Sequence, residues 1–497
     1  MIEILERTKE FKAETALVVE GKEITYSDLH LQSDLIASYL LNNKEDLYEE
    51  PIALLIEPDE RYINALWGIW KAGGIAIPLS LSAKQDELEH FLSDTRAKRI
   101  ICSKTYRTNV NFSVFKNIDL IFLEDLELKE LKNLPSVETE RKAMILYTSG
   151  TTSKPKGVVS THENIRSQIA TLVEAWQWKK EDHIPLFLPL HHIHGIINSL
   201  LSPLYKGAKV TMLGSFNFSR LSKEMIKNDF SVFTAVPTVY FSLIENLEKN
   251  NHRELIEKFK NMRLMMSGSA ALAPEIHKKW KNLTGQEILE RYGMTEIGMA
   301  LSNPYIGKRK PGFVGVPLPK VEVRLEDETG KEISTEGVAG EILIKGPQVF
   351  KEYLNQPQKT LESFTNSWFK TGDIALIEDG YYKILGRDSI DIIKSGGYKI
   401  SALEIEDTLL KNQKIRECAV IGLDDDKWGE VIGVALVTTD NKELDLDEIQ
   451  KWCSKDLSDY KLPRRVLILD NLPKNSMGKI TKKKIKSLFN QINLNLI

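Results

Sequence analysis

The chain has 497 residues, with 67 Lys and Arg against 70 Asp and Glu and a formal net charge of -3. A balance so near neutrality gives no electrostatic case for a nucleic-acid or anionic-membrane partner. The 42% hydrophobic and 28% charged content is globular composition rather than disorder, and the length calls for two or more domains.

The first segment, MIEILERTKEFK, mixes acidic and basic residues and has no long apolar run, so it does not read as a secretory signal. No stretch reaches the roughly 18 to 20 apolar residues of a membrane span. The three cysteines, Cys102, Cys418 and Cys453, lack CxxC spacing and suggest neither a zinc site nor a disulfide framework. Reduced, packed thiols in a reducing, cytoplasmic compartment are expected, with an organellar form lacking its transit peptide as the alternative.

Pro51 to Ile56 reads as a buried strand, Arg61 to Lys71 as a helix, and the GGIAIPLS that follows as a turn and a second strand. Arg99 to Ser103 and Leu120 to Asp125 are two more strands, Met144 to Tyr147 another, and Lys209 to Leu213 another. Val232 to Lys249 reads as a strand entering a helix, with a proline near its first turn. This alternation predicts α/β layers with substantially parallel sheets. After Gly340 the texture changes to short strands punctuated by glycine, in GEILIKG, GYYKILG and DIIKSGGYKI. From Ala402 a compact α+β pattern follows: helix 402–410, strand 417–422, an acidic turn, strand 431–438 and helix 446–457. The predicted division is a large domain over 1–387 and a small one over 388–497.

The segment MILYTSGTTSKPKGVV places an apolar strand ahead of Thr148, Ser149, Gly150, Thr151, Thr152 and Ser153, then Lys154, Pro155, Lys156 and Gly157. Small residues let backbone N–H groups converge on an anion, hydroxyls add donors, and lysines supply charge for phosphate oxygens. This is a polyphosphate cradle. It lacks the spacing of the GxxxxGK loop followed by Ser or Thr. A flexible turn-rich surface loop is the bland alternative, disfavoured by the strand entrance, the ordered hydroxyls and the paired lysines.

This loop resembles that of the adenylate-forming superfamily, which includes acyl-CoA synthetases, the adenylation domains of peptide synthetases and luciferases. Ser153 departs from the glycine usual there. The resemblance covers essentially the whole chain and implies its α/β fold: a large N-terminal domain of layered sheets and helices and a small mobile α+β C-terminal domain. It also implies ATP, CoA and a small carboxylic acid as partners and Mg²⁺ with the ATP. Phosphates would meet Thr148, Ser149, Gly150, Thr151, Thr152 and Lys156, and Glu296 with Thr148 would hold the magnesium.

PLHHIHG, at 189–195, lacks metal-site spacing. By resemblance it lines the acyl pocket, with His192 beside the carboxylate being activated and His191 where an apolar aromatic is more usual. His194 is open to a packing role. Gly268 and Ser269, after a hydrophobic strand, would lie between adenine and the acyl group. In ILERYGMTEIG, at 288–298, Tyr292 and Gly293 would flank the adenine, Thr295 would meet the α-phosphate and Glu296 the metal. Asp373 can accept two ribose hydroxyls, and Arg387 would add a ribose or phosphate contact. Asp388 falls at the family's hinge. Lys394, Gly396 and Gly397 resemble the CoA-tunnel segment, and Lys479 matches the catalytic lysine. The acidic triplet 424–426 reads as a solvated turn and the run TKKKIK, 481–486, as an exposed helix face.

The acid is read from Arg291. An arginine is costly in a fatty-acyl tunnel and sensible if the substrate carries a second carboxylate, which it can pair bidentately. A surface salt bridge, for instance to Glu290, is the structural alternative. SGSAAL, PLHHIHG, the block from His277 to Ser302 and SIDIIKSGGYKISALEIE resemble malonyl-CoA synthetases in particular. Malonate is therefore the expected acid, held by Arg291 with His191 or His192 and Ser269 nearby. The competing expectations are a synthetase for another short or medium acid, a carrier-loading adenylation enzyme, and a non-catalytic nucleotide-binding relative. The missing pocket aspartate speaks against the second; Lys479 and Glu296 speak against the third.

Overall fold

The computed structural model describes residues 2–107, 111, 117–126, 131–148, 155–249, 252–387, 390–395, 398–425, 427–439, 444–474 and 480–494. Ser149, Gly150, Thr151, Thr152, Ser153, Lys154, Asp388, Gly396, Gly397 and Lys479, all singled out from the sequence, lie outside them. No helix among the described residues is long and apolar enough to cross a membrane.

Five sheets organise the described residues. In the seven-stranded sheet, Pro51–Leu55 lies centrally, parallel to Ile75–Pro78 on one side and Arg99–Cys102 on the other. Ile75–Pro78 then leads to Lys142–Thr148 and its antiparallel partner Lys156–Thr161. Alternate residues of the central strands feed different cores. Ile52 and Leu54 face the main cluster around Trp67, Trp70 and Trp176, whereas Ala53 and Leu55 pack with Phe91 and Ile100. A strand buried on both faces loses its polar alternation, which is why PIALLI reads as continuous apolar sequence. Glu60–Lys71, which covers one face, starts where the Asp59 carboxylate accepts the Arg61 N–H.

A four-stranded sheet joins Thr15–Val19, Lys209–Met212 and His183–Leu186 in parallel. A five-stranded sheet runs Val232–Ala235, Leu264–Ser267 and Leu289–Met294, again parallel, then turns antiparallel into Gly298–Ser302. The helix Pro237–Lys249 begins on its proline, whose missing N–H would be unpaired there in any case. The apolar stretch after Ile184 is a strand and then a π-helix, His194–Leu201. Leu120–Asp125 is a strand only to Phe122 and continues as a 3₁₀ turn.

Beyond Ile392 the hydrophobic residues form two clusters of their own, on opposite faces of one sheet. Cys418, Val420, Val434 and Leu436 face one side; Ala419, Ile421, Ala435 and Val437 face the other, as the two-residue strand period requires. The strands Ile415–Asp425 and Gly429–Thr438 are longer than their apolar runs. Asp424 and Asp425, read as a turn, are their last paired residues, opposite Glu430 and Gly429. The helix at 446 ends at Cys453 rather than 457. All three cysteines are free and buried.

One ion pair fixes the approach to the cleft. Asp182 precedes the strand leading to PLHHIHG, and Arg263 precedes the strand leading to Gly268. Arg263 donates from Nε to Asp182 at 2.7 Å and from NH1 to the Trp176 carbonyl at 3.1 Å. The Asp182 side chain is 3% exposed, so removing its partner leaves a buried charge. Arg263→Met should therefore lower stability by about 3–5 kcal/mol, with Asp182→Asn in the same chain recovering part of it. Urea midpoints of the two variants check this, and a double variant weaker than the single would contradict it.

Candidate active site

A cleft of about 3630 Å³ runs along the carboxyl ends of these strands and between the large body and the C-terminal sheet. Strand ends opening on a crevice are the usual ligand-binding place in α/β proteins. Thr148, Lys156, His191, His192, Ser269, Arg291, Tyr292, Gly293, Thr295, Glu296, Asp373 and Arg387 all line it. The structure thus gathers residues that are up to 239 positions apart, from Thr148 to Arg387. Gly268 lies behind its wall. Lys394 stands apart from it, in the strand Ile392–Ser395, with its N–H donating to Glu430 at 2.7 Å.

At one end Asp373 and Arg387 are register partners on neighbouring antiparallel strands. Arg387 Nε donates to Asp373 Oδ1 at 2.9 Å, and the Tyr292 hydroxyl donates to Oδ2 at 2.6 Å. Burial, reinforced by the Asp373 charge, pushes the Tyr292 phenol well above its ordinary pKa, so it stays a donor. Both carboxylate oxygens are thus already oriented toward hydroxyl or N–H donors, as a ribose-binding aspartate requires.

In the middle, Glu296 is 2% exposed. Its Oε1 accepts from the Tyr353 hydroxyl at 3.0 Å and lies 3.3 Å from Lys156 Nζ. The ammonium also sits 3.8 Å above the Tyr353 ring, a cation–π contact. Burial depresses the Lys156 pKa, and Glu296 opposes it. Thr148 Oγ1 is buried without a partner among the described residues. A buried carboxylate and an unsatisfied hydroxyl are hard oxygen donors, and that set fits Mg²⁺ better than a softer ion.

At the other end stands Arg291, 4% exposed. Its NH1 donates to the Met299 sulfur at 3.2 Å, while Nε and NH2 have no partner among the described residues. Burial drives its pKa down to about 9, the mark of a cation held without a counter-anion. Strand alternation turns Glu290 away: its carboxylate meets His277 Nδ1 at 3.2 Å and accepts the Gly312 N–H at 2.9 Å. The salt bridge between Arg291 and Glu290 considered from sequence is therefore not formed. The guanidinium lies against Gly268, where a Cβ would come within 2.3 Å of NH1. A larger residue at 268 would have to displace the guanidinium from this position.

Ser269, next along, has φ +70°, a left-handed conformation that costs a non-glycine residue about 1 kcal/mol or more. Its hydroxyl shares a 3.0 Å hydrogen bond with His194 Nδ1, and His194 Nε2 lies 2.8 Å from Thr234 Oγ1. His194 is thus a buried brace that aims the serine. Burial lowers the His191 pKa to about 4, so its ring is neutral at physiological pH, and it lies 4.1 Å from that of His192.

Sequence reasoning missed Tyr353 and Met299. Met299 is placed by the hairpin register, opposite Gly293 on the strand pair that carries Arg291, which the sequence does not show. Tyr353 had no signal either, since it lies in a two-residue strand paired with Val158 across 195 positions of sequence. Tyr353→Phe should keep the ring under Lys156 but release Glu296. The KM for magnesium-ATP is expected to rise about 10-fold while that for the carboxylic acid stays put. Steady-state kinetics against each substrate read this, and equal rises in both would refute it.

Residues 5–354 match the family described as AMP-binding enzyme, and residues 404–479 match the AMP-binding enzyme C-terminal domain. A mitochondrial malonate–CoA ligase of Xenopus laevis is 38% identical over 98% of this chain and 91% of its own length. A malonate–CoA ligase of Arabidopsis thaliana is 40% identical over 88% of this chain and 78% of its own. ATP-bound MatB from Rhodopseudomonas palustris superposes with a TM-score of 0.91 at 30% identity, covering 99% of both chains. A malonyl-CoA ligase product complex holding methylmalonyl-CoA and AMP gives 0.69 at 33% identity, covering 93% of this chain and 97% of that one. With sequence, backbone and cleft in agreement over nearly its full length, the chain belongs to the AMP-binding enzyme family.

Proposed function

We propose that the chain is an ATP-dependent acid–thiol ligase that converts malonate, ATP and CoA into malonyl-CoA, AMP and diphosphate. The observation that carries the acid is Arg291, a buried guanidinium with two nitrogens that meet no acceptor among the described residues. A dicarboxylate supplies what the fold leaves out. Its distal carboxylate pairs with Arg291, and the other is presented near His192 and Ser269. The neutral His191 ring adds a polar wall without a competing charge. Malonate–CoA ligases among the relatives support the same acid.

Carboxylates do not react with thiols, because oxide would have to leave. A malonate carboxylate oxygen attacks the α-phosphorus of ATP, the bond to the bridging oxygen breaks, and diphosphate departs. The CoA sulfur then attacks the acyl carbon, losing its proton, and AMP leaves with the electron pair. Asp373 and Arg387 hold the ribose, with the Tyr292 ring alongside the adenine. Thr148 and Lys156, with the hydroxyls and backbone of 149–154 by resemblance, would meet the phosphates. Mg²⁺, held by Glu296 and Thr148, would neutralise phosphate charge. Lys156, 3.3 Å from Glu296, would add a second positive charge for phosphate oxygens.

The reading includes Lys479 at the departing phosphate and a turn of 388–497 about Asp388 that brings Lys394, Gly396 and Gly397 to the pantetheine. The higher structural likeness to the ATP-bound relative than to the CoA product complex, at similar identities, supports an adenylation-stage arrangement.

Thioester formation with malonate, methylmalonate, succinate, acetate and octanoate tests the proposal. Malonate should be preferred. Arg291→Met should lower kcat/KM for malonate by about 10²–10³, the worth of two charge-assisted hydrogen bonds. Because the ligand-free enzyme then buries no unpaired cation, its melting temperature should not fall. A preference for octanoate, or wild-type malonate turnover in the variant, would sink the assignment.

A further inference from the structure

The run TKKKIK does not form the uniform exposed face that its composition suggests. Lys483 and Lys484 are exposed and Lys486 reaches Asp424, 2.8 Å away, at the surface. Lys482 instead points inward, with its side chain only 13% exposed. Its ammonium lies 2.7 Å from Asp391 Oδ1 and 2.8 Å from Glu406 Oε1, whose side chains are 20% and 15% exposed. Burial works to lower its pKa, but the two carboxylates outweigh burial and raise it.

Each partner is itself tied down. Asp391 Oδ2 accepts the Arg387 N–H at 3.1 Å, and its carbonyl accepts the Ala402 N–H at 2.8 Å. Glu406 Oε1 accepts the Val420 N–H at 2.7 Å. On the other side, Lys482 opens the helix that follows an isolated bridge between Lys474 and Ile480. Thr481 N–H donates to the Pro473 carbonyl at 2.8 Å. The flanks of 475–479 are thus closed together, and Lys482 is three residues past Lys479. An unbroken series of contacts runs from that base through Lys482, Asp391 and Arg387 to Asp373 and Tyr292 at the nucleotide end of the cleft.

We propose that Lys482 is a positioning residue for the adenylation step: with Asp391 and Glu406 it ties the chain three residues past Lys479 to the start of the small C-terminal unit, next to the strand that holds the ribose. The inference rests on the acyl-adenylate reading above and goes beyond it by assigning this buried triad to one half-reaction. A misplacement of about 1 Å in a group that acts on a departing phosphate is worth about 100-fold in rate. The thiol step, which uses the other face of the small C-terminal unit, does not call on Lys479.

The two steps are read separately by double mixing. Full-length enzyme is first mixed with ATP and malonate, and diphosphate release is timed. Once acyl-adenylate has accumulated, CoA is added and thioester formation is timed. Lys482→Met should slow diphosphate release about 100-fold while the CoA step changes by less than about 3-fold, the split expected when only one transition state is touched. Since Lys482→Met leaves two buried carboxylates facing each other and can unfold the region, the neutral combination Lys482→Met, Asp391→Asn, Glu406→Gln is run alongside. It should melt near wild type and show the same split. Lys482→Arg should recover most of the first step. Equal losses in both steps by a folded variant, or no loss in either, would overturn the inference. Wild-type enzyme that releases no diphosphate with any acid would overturn the underlying reading as well, so the two failures are distinct.

Discussion

Burying a guanidinium without an anion is among the less favourable arrangements a fold can contain, because the charge leaves water and gains little in return. Arg291 is in that state, and much of the site is arranged around tolerating it. Gly268 gives up its side chain so that the planar group can lie against backbone. Met299 offers a polarizable sulfur to one nitrogen. Glu290, one residue away and chemically able to neutralise it, is placed on the opposite face of the strand and engaged with His277 and Gly312. Neutralising Arg291 internally would remove the anion site; leaving it open makes the substrate the missing counter-charge.

The nucleotide end is built differently. There the charged groups among the described residues are paired within the protein. Asp373 holds Arg387 and Tyr292, and Glu296 holds Lys156 and Tyr353. Each pair keeps a ligand-facing group oriented while no ligand is present, so little reorganisation is needed when ribose or a cation exchanges for one partner. Association at this end is an exchange of partners. At the acyl end it is a first pairing, so the differential affinity for a dicarboxylate is concentrated at the acyl end.

How much of this the sequence disclosed depends on the range of the interaction. The parallel strands were legible because burial on both faces leaves continuous apolar runs, as at Pro51 to Ile56, and the Val232 to Lys249 unit because proline marks its helix start. The cradle from Thr148 was legible as a motif, and Arg291 as a charge out of keeping with an apolar pocket. Which way Arg291 and Glu290 point was not, since adjacent strand residues differ only in the face they take and the register came from pairing with Gly298–Ser302. Tyr353 was invisible because its partner Glu296 is 57 residues away. Strand ends were misjudged at Phe122 and Asp425, where hydrogen-bond pairing and not hydropathy sets the boundary.

Lys482 and Arg291 make the same point from opposite sides. Both are cations largely withdrawn from solvent, Lys482 in a run that reads as an exposed helix face and Arg291 in a segment that reads as pocket lining. Lys482 is met by two carboxylates and is complete without any ligand; Arg291 is met by a thioether and two vacancies in its hydrogen bonding. Burial and charge alone therefore cannot tell a structural cation from a binding one. The count of satisfied donors can: a group whose donors are filled by the fold serves the fold, and one whose donors are left unfilled in a cleft is reserved for something that arrives from solvent. By that criterion the substrate's second carboxylate is written into the structure as an unmet hydrogen-bonding demand, and a monocarboxylic acid of the same length would leave it unmet.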